Sequence, residues 1–283
     1  MGRIEVHILH TGKVCVSPSL PFGGDCGLLK AAGIGTPARD RLWLPVSCYL
    51  IEHPRGLLLF DCGWSRAISP QGEFDRRAQI AALGSVPLYF TNQGEVALGC
   101  TVGEQLRGRG IEPQDLDYVL LSHLDCDHAN GLSEVAGAKH VLVAAEELAC
   151  ATGPDIVKRI RFNPRWWQDV ELEPLIWNGT EGPAGESFDL FGDGSVVMVN
   201  IPGHTDGLCA LKLTGADGRY VLLFSDGGYA ARSWQEMILP GISLDRTAQR
   251  RSLEWIREQS LNARCAESLA NHDPEIEPHT IVL

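Results

Sequence analysis

The sequence predicts a mixed α/β sandwich, because it opens with β-strands in a hairpin arrangement and then alternates strands with helices. Three β-like stretches come first, at residues 4–16, 42–52 and 57–60. The turn-prone residues 53–56, His-Pro-Arg-Gly, join the last two stretches into a hairpin. No segment repeats at a fixed period, so the sequence does not indicate a repeat architecture.

The rest of the chain predicts short buried strands, most of which end in small or polar residues, and a few helices. Two segments, at about residues 64–100 and 152–185, lack clear periodicity, and we interpret them as insertions. The predicted strands are residues 118–121, 140–143, 196–201, 208–213 and 220–224, and the predicted helices are residues 102–110, 144–151 and 245–263.

Composition and charge exclude several classes of partner. The 283-residue chain is 44% hydrophobic and carries a formal charge of −12, whereas nucleic-acid binding requires clustered Lys and Arg. The N-terminus alternates polar and apolar residues, and no run of 18 apolar residues occurs. The nine cysteines are scattered without a Cys-x-x-Cys pair, which argues against a disulfide framework. We therefore expect a cytoplasmic protein that binds neither nucleic acid nor a membrane.

The strongest local signal is the segment Ser-His-Leu-Asp-Cys-Asp-His at residues 122–128, directly after a predicted strand. It places four candidate metal ligands within six residues: His123, Asp125, Asp127 and His128. A loop at the end of a strand can turn such side chains toward one point. The alternative for this segment alone is a polar turn with two surface histidines.

Three more candidate ligands follow later elements of the chain. His204 comes after the predicted strand 196–201, and Asp226 comes after the predicted strand 220–224. His272 follows the long C-terminal helix. Each residue alone is a weak signal, because a single loop histidine is more often solvated or hydrogen-bonded than bound to a metal.

The order of these residues resembles the metallo-β-lactamase superfamily, whose signature is His-x-His-x-Asp-His followed by a histidine, a bridging aspartate and a final histidine. Within it, the chain looks most like the N-acyl-homoserine lactonases. Residues 44–52 and 57–63 resemble that family's opening strands, and Tyr229 and the His-Asp-Pro-Glu run at residues 272–275 also match its pattern. The resemblance implies an αββα sandwich in one domain, residues 1–283, with residues 64–100 and 152–185 as lids.

The resemblance also implies a ligand set and a reaction. One divalent metal ion would be held by His123, residue 125 and His204, a second by Asp127, His128 and His272, and Asp226 would bridge the two. A hydroxide between the metals would attack the carbonyl carbon of a lactone or related ester. Tyr229 would hydrogen-bond the carbonyl oxygen. The predicted catalytic residues are Tyr229 and two of the metal ligands, Asp127 and Asp226.

Two further residues carry alternatives from the same resemblance. Tyr229 could instead simply pack after a Gly-Gly turn. Asp61 would orient a ligand histidine through its free ring nitrogen, or else only cap the turn before Gly63. In the second insertion, Trp166, Trp167 and Trp177 either line an apolar acyl pocket or form a cluster that folds the insertion itself.

The chain departs from the superfamily signature at Asp125, which stands where the second histidine is expected. With Asp125, Asp127 and Asp226 ionised, a two-metal site of charge +4 is left at about +1, which weakens its activation of water. A third carboxylate also favours Mn or Fe over Zn relative to the family pattern. We expect zinc, or manganese or iron because of Asp125.

The substitution leaves two other functions open. A carboxylate at this position, although Glu, occurs in the flavodiiron proteins, so a di-iron redox protein is the first alternative. The second is a metal-binding or ligand-binding protein whose catalysis is impaired because Asp125 does not reach its metal. Our main prediction remains a hydrolase for a small-molecule lactone or ester. The sequence does not decide its oligomeric state, and a homodimer is left open.

Overall fold

The computed structural model describes residues 2–283, apart from the side chains of residues 156 and 157. Its strands form two sheets, and we number the described strands in chain order. Strands β1 to β13 are Glu5–Val16, Leu42–His53, Gly56–Phe60, Gln93–Glu95, Tyr118–Leu120, His140–Ala144, Glu173–Leu175, Ser187–Asp189, Val196–Asn200, Cys209–Thr214, Tyr220–Leu223, Cys265–Leu269 and Thr280–Val282.

The described helices lie between these strands and at the C-terminal end. None of the helices in residues 2–283 combines the length and the apolar composition needed to cross a bilayer. Helices α1 to α10 are Ser19–Phe22, Leu28–Ala31, Arg76–Leu83, Val86–Thr91, Val102–Gly108, Cys126–Ala129, Ala145–Thr152, Ile156–Arg161, Ala231–Glu236 and Arg246–Leu261. Short 3₁₀ turns cover Ala38–Asp40, Arg66–Ile68, Pro113–Asp115, Asn130–Glu134, Pro164–Trp166 and Ser225–Gly227.

The two sheets are each antiparallel at one end and parallel at the other. In the first sheet the order is β13-β1-β2-β3-β5-β6-β7, with β4 paired to β1. Strands β13, β1, β2 and β3 are antiparallel, and β3, β5, β6 and β7 are parallel. The second sheet has the order β12-β11-β10-β9-β8, in which only β11 and β12 pair in parallel.

Three hydrophobic cores stack these elements into four layers. Strand β2 has alternate side chains on opposite faces, so Val46 and Leu50 pack toward helices while Tyr49 and Ile51 pack toward the second sheet. The second core lies between the two sheets, and the third joins the second sheet to α10. The order of layers is therefore helices, sheet, sheet, helices, which confirms the predicted αββα sandwich.

Every predicted element was found, whereas several strands and helices, the eight-residue α3 among them, were not predicted. Each predicted strand or helix lies within two residues of an observed element at both ends. The unpredicted strands β4, β7, β8 and β13 have three residues each, which is too few for a periodic pattern. Strand β12 alternates only weakly between buried and exposed positions, because it lies at the edge of its sheet.

The segments interpreted as insertions pack against each other. Residues 64–100 contain α3, α4 and β4, and residues 152–185 contain α8 and β7. The Trp166 indole donates to the carbonyl oxygen of Ala82 at 3.0 Å, and both Trp166 and Trp167 are buried in the first core. Trp177 lies elsewhere, packed against the core between the sheets. The three tryptophans therefore do not form one acyl pocket, and two of them join the insertions.

The loop that carries His204 is held tightly against α10. Gly203 has a φ of +139°, and a Cβ at this position would lie 2.2 Å from the backbone nitrogen of Gln249. No side chain fits there unless the loop or the helix moves. This close approach fixes the direction in which His204 leaves the end of β9.

We predict that Gly203→Ala lowers the free energy of unfolding by about 3 kcal/mol or more, because backbone strain and steric overlap add together. The matched control is Gly194→Ala, where φ is also positive at +75° but nothing lies within 4 Å of the added Cβ. The control should lose about 1–2 kcal/mol from strain alone. Urea unfolding of both variants measures the difference, and equal losses would show that the His204 loop yields to the new methyl group.

Candidate metal centre

The residues predicted as metal ligands lie together where the two sheets meet. All of them are buried or nearly so. Their ligand atoms form three overlapping groups, and within each group every atom lies within 4.8 Å of the others. The groups are His123 with Asp125 and His204, His123 with His128 and Asp226, and Asp127 with His128 and His272. We call the first the Asp125 set and the last the Asp127 set.

A tight turn lets one segment supply four of these side chains. Strand β5 ends at Leu120, and α6 begins directly after Asp125. The amide of His128 donates to the carbonyl oxygen of Asp125 at 3.0 Å, which closes the turn. Side chains from both sides of the turn therefore reach the same region, as the sequence analysis expected of a loop at a strand end.

The Asp127 set has nitrogen lone pairs available for a cation. The Nε2 atoms of His128 and His272 are buried, and they make no hydrogen bond to any described residue. Their Nδ1 atoms are engaged instead, at 2.9 Å from the Asp61 carboxylate and 2.8 Å from the Pro45 carbonyl oxygen. These contacts require the proton on Nδ1, so in the neutral form of each imidazole Nε2 carries the lone pair that faces the centre. The set fits a divalent metal ion.

Asp226 lies between the two sets, where the sequence analysis expected a bridging ligand. Its Oδ1 is 3.3 Å from His128 Nε2 and 3.2 Å from His272 Nε2, while Oδ2 is 3.5 Å from His204 Nε2. Burial works to raise the pKa of Asp226, but the charges of His272 and His128 hold that pKa well below its usual value. The carboxylate is therefore ionised throughout the physiological range.

The cluster attracts positive charge strongly. Burial lowers the pKa of His128, yet the charges of Asp226 and Asp61 outweigh burial and raise that pKa well above its usual value. The pKa of His272 is raised for the same reason, by Asp226 and Asp127 against burial. Carboxylates out of contact with water need a nearby cation, and either a proton on an imidazole or a metal ion meets that need.

Asp61 holds the centre together from behind. Its Oδ1 accepts from the amide of Ser122 at 2.8 Å, and its Oδ2 accepts from the Ser122 hydroxyl and the Asn271 amide group, both at 2.8 Å. The contact with His128 Nδ1 is the one that the sequence analysis expected of this residue. Asp61 has a φ of +61°, a strained conformation that places the carboxylate at the end of β3.

The Asp125 set is arranged differently, because a cationic side chain already lies in it. Arg161, the last residue of α8, donates from Nε and Nη2 to the two carboxylate oxygens of Asp125, both at 2.6 Å. Nη2 also lies 2.8 Å from Nε2 of His204, and the same Nε2 lies 2.9 Å from Oδ2 of Asp125. Asp125 therefore forms a bidentate, buried ion pair, and it is not free to coordinate a metal while the pair is intact.

The charges in this half of the centre agree with that pairing. Burial would raise the pKa of Asp125, but the Arg161 charge and hydrogen bonds from His123 and His204 hold it well below its usual value. Burial and the Arg161 charge lower the pKa of His204, against the opposite influence of Asp125. His204 is thus a neutral imidazole beside a guanidinium.

Glu147, on α7, is a site residue that the sequence analysis missed. It is fully buried, and its two oxygens accept from the amide of Leu124 at 2.9 Å and the amide of Gly207 at 3.3 Å. It therefore ties the loop of His123 to the loop of His204. A glutamate in the first turn of a helix is normally read as a solvated residue, so the sequence carried no signal for its burial.

Tyr229 packs against both sets. Its ring stacks on His272, with centroids 5.2 Å apart, and meets His204 edge-on at 6.2 Å. Burial, and then the charges of Asp226 and Asp127, raise the pKa of Tyr229 well above its usual value. The phenol therefore keeps its proton at neutral pH and can serve as a hydrogen-bond donor.

Comparison with known proteins identifies the family. The profile of the metallo-beta-lactamase superfamily matches residues 41–221. The chain therefore belongs to the metallo-β-lactamase superfamily, as its motif indicated. It is 26% identical over 241 residues to the N-acyl homoserine lactonase AttM of Rhizobium radiobacter, covering 82% of this chain and 83% of that protein. It is also 27% identical over 288 residues to a probable metallo-hydrolase of Mycobacterium tuberculosis, covering 97% and 84%.

Solved structures show the same fold. An N-acyl homoserine lactone hydrolase with the product N-hexanoyl-L-homoserine at its catalytic metal centre aligns with a TM-score of 0.73 at 20% identity. The alignment covers 97% of this chain and 95% of that structure. AidC, a dizinc quorum-quenching lactonase, aligns with a TM-score of 0.64 at 13% identity, covering 97% and 89%. The predicted resemblance to lactonases is confirmed.

We predict that Asp61→Asn weakens metal binding about 10- to 100-fold, because the amide cannot accept all the hydrogen bonds that orient His128 and Ser122. The matched control is Asp117→Asn. Asp117 accepts from the amide of Leu57 at the other end of β3, far from the ligands, and its loss should affect only stability. Competitive titration with a fluorescent chelator measures both affinities. Equal metal affinity of the two variants would contradict the role given to Asp61.

Proposed function

We propose that the chain is a metal-dependent hydrolase that opens a lactone, of the N-acyl-homoserine lactone kind, or a related carboxylic ester. The observation that carries the proposal is the Asp127 set, where the buried Nε2 atoms of His128 and His272 converge with the Asp127 carboxylate, and Oδ1 of Asp226 lies 3.3 Å and 3.2 Å from the two nitrogens. Relatives of this chain include N-acyl homoserine lactonases, which favours hydrolysis over di-iron redox chemistry.

The metal would be held by Asp127, His128 and His272, together with Asp226. When bound, a divalent cation supplies Lewis acidity and a water of lowered pKa. Two imidazoles and two carboxylates accommodate zinc, one of the three metals predicted from the sequence. Manganese and iron were predicted because Asp125 was expected to be a ligand, and Asp125 pairs with Arg161. A second ion, also expected from the sequence, could bind the Asp125 set only after Arg161 had left it.

The chain's own residues would prepare the ester for attack. Asp226 and Asp127 are buried bases beside the position of the reacting carbonyl, and Asp61 keeps His128 in the tautomer that faces the centre. Tyr229, which remains protonated, would donate to the carbonyl oxygen as negative charge develops on it. The role of Tyr229 is the one predicted from the sequence, and Asp127 and Asp226 were predicted there as metal ligands and catalytic residues.

The two packed insertions would close over the substrate. We propose that residues 64–100 and 152–185 form the lid of a single domain, since Arg161 reaches the centre from the second of them. The structural relative carries N-hexanoyl-L-homoserine at its metal centre, so an acyl chain on a homoserine lactone is the substrate class we assign. The cytoplasmic location and the homodimer stay predictions.

We predict that the purified, metal-loaded protein opens N-hexanoyl-homoserine lactone with release of one proton, and that a chelator abolishes the activity reversibly. A β-lactam and a glutathione thioester should react far more slowly, because the site is assigned to lactones. Proton release with a pH indicator measures the whole substrate panel under one condition. Equal or faster turnover of the thioester would move the protein to a glyoxalase-like function.

We also predict that Tyr229→Phe lowers kcat for the lactone about 10- to 1000-fold, with little change in KM, because the lost donor acts on the transition state. Tyr220→Phe is the matched control. The Tyr220 hydroxyl donates to the Gln259 carbonyl oxygen on the far side of the second sheet. Steady-state kinetics of both variants decide the point, and an unchanged kcat for Tyr229→Phe would leave only a packing role.

A further inference from the structure

Arg161 is fixed in the centre by the segment that carries it. Lys158, on the same helix, pairs with Asp206 at 2.9 Å, next to the His204 loop. Phe162 is 1% exposed, and the guanidinium carbon lies 5.4 Å from its ring centroid. Asn163 donates to the carbonyl oxygen of Leu83 in the other insertion at 3.0 Å. The guanidinium is thus held by anchors on both sides of it.

The contact with His204 excludes a metal ion at the same position. Nε2 of His204 lies 2.8 Å from Arg161 Nη2 and 2.9 Å from Asp125 Oδ2, so it is enclosed by both members of the ion pair. A metal ion in the Asp125 set would have to contact the same Nε2 and the same carboxylate oxygens that the guanidinium contacts. His204 and Asp125 therefore hold either Arg161 or a metal ion, and not both.

The contact with Asp125 explains why the Arg161 guanidinium is stable in the Asp125 set. A histidine at residue 125 would be a neutral ligand, and a guanidinium beside it would have no counter-charge. An aspartate gives the guanidinium a bidentate partner, with both contacts at 2.6 Å. The replacement of the expected histidine and the inserted arginine are thus two halves of one buried ion pair. Neither half is stable alone, since an unpaired buried charge is costly.

Formal charge leads to the same arrangement. Asp125, Asp127 and Asp226 together contribute three negative charges to the centre. One divalent metal ion and one guanidinium supply three positive charges, which balance these three carboxylates. A second metal ion added beside Arg161 would leave an excess of two positive charges in a buried site.

We propose that Arg161 takes the place of one metal ion of the family's two-metal centre, so that the chain uses a single divalent metal at the Asp127 set and a guanidinium at the Asp125 set. The inference rests on the proposed function for the metal at the Asp127 set. Arg161 supplies fixed positive charge beside Asp125 and His204, but it cannot lower the pKa of a water as a metal ion does. Activation of water therefore belongs to the Asp127 set alone.

The test is the metal stoichiometry of the full chain, with Co²⁺ alone as the probe. The wild type, loaded with excess Co²⁺ and then freed of unbound metal, should hold about one ion per chain by elemental analysis. Arg161→Met removes the guanidinium and keeps the length, so it should hold about two. The matched control is Arg159→Met, an exposed arginine on the same helix, which should keep the wild-type value.

A spectroscopic readout is independent of activity. Two Co²⁺ ions about 3.5–4 Å apart couple magnetically, so the electron paramagnetic resonance intensity per cobalt should fall in Arg161→Met and not in the wild type. Where Arg161→Met fails to fold because Asp125 is left unpaired, the double variant Asp125→His with Arg161→Met restores the family's ligand set. It should fold, hold about two ions and show the same coupling.

Several outcomes would overturn the inference. Two ions in the wild type would mean that Arg161 leaves the Asp125 set on metal binding, and the proposed hydrolase would stand without the inference. One ion in both the wild type and the double variant would mean that Arg161 is not what excludes the second metal. A wild-type chain that binds no metal would overturn the proposed function and the inference with it.

Discussion

The fold of this protein brings three carboxylates into a buried position, and the need to neutralise them shapes the whole centre. Asp125, Asp127 and Asp226 come from the ends of strands in both sheets, and each is at most 9% exposed. Buried carboxylates at such short distances repel one another unless cations lie between them. Three kinds of cation can neutralise these carboxylates: protonated imidazoles, a divalent metal ion in the Asp127 set, and the guanidinium of Arg161.

Two buried carboxylates outside the ligand set, Asp61 and Glu147, hold the loops that carry the ligands. Asp61 links β3 to the loops after β5 and β12, and Glu147 links the loop of His123 to that of His204. Neither residue faces the centre as a ligand. Both hold backbone amides in place, so the fold itself sets the spacing of the ligand atoms.

The sequence predicted the parts of the protein that local patterns encode. The predicted strands and helices follow apolar periodicity, and ligand motifs come after several of those strands, so both were found. Four three-residue strands, β4, β7, β8 and β13, were missed because pairing with neighbouring strands forms them, and not a pattern of their own. Helices α3, α4, α8 and α9 and strand β12 were also not predicted. Glu147 and Arg161 were missed for a related reason, since only the tertiary fold removes them from water.

Arg161 nevertheless had a signal that could have been used. A carboxylate in place of a neutral ligand adds a charge to a buried site, and such a charge needs a cationic partner somewhere in the chain. The arginine-containing insertion at residues 152–185 was the natural place to search. A charged residue that replaces a neutral ligand in a buried site therefore predicts an oppositely charged residue elsewhere in the chain, even when the two are far apart in sequence.

The buried pair of Asp125 and Arg161 also limits how this centre can have changed over time. A chain that passes between a histidine and an aspartate at residue 125 one substitution at a time goes through a state with an unpaired buried charge, whichever position changes first. We expect each single substitution to destabilise the centre and the two together to be tolerated. This is reciprocal sign epistasis between residues 36 positions apart. Related chains should therefore fall into two separated groups, with few members between them, and the pair marks the boundary.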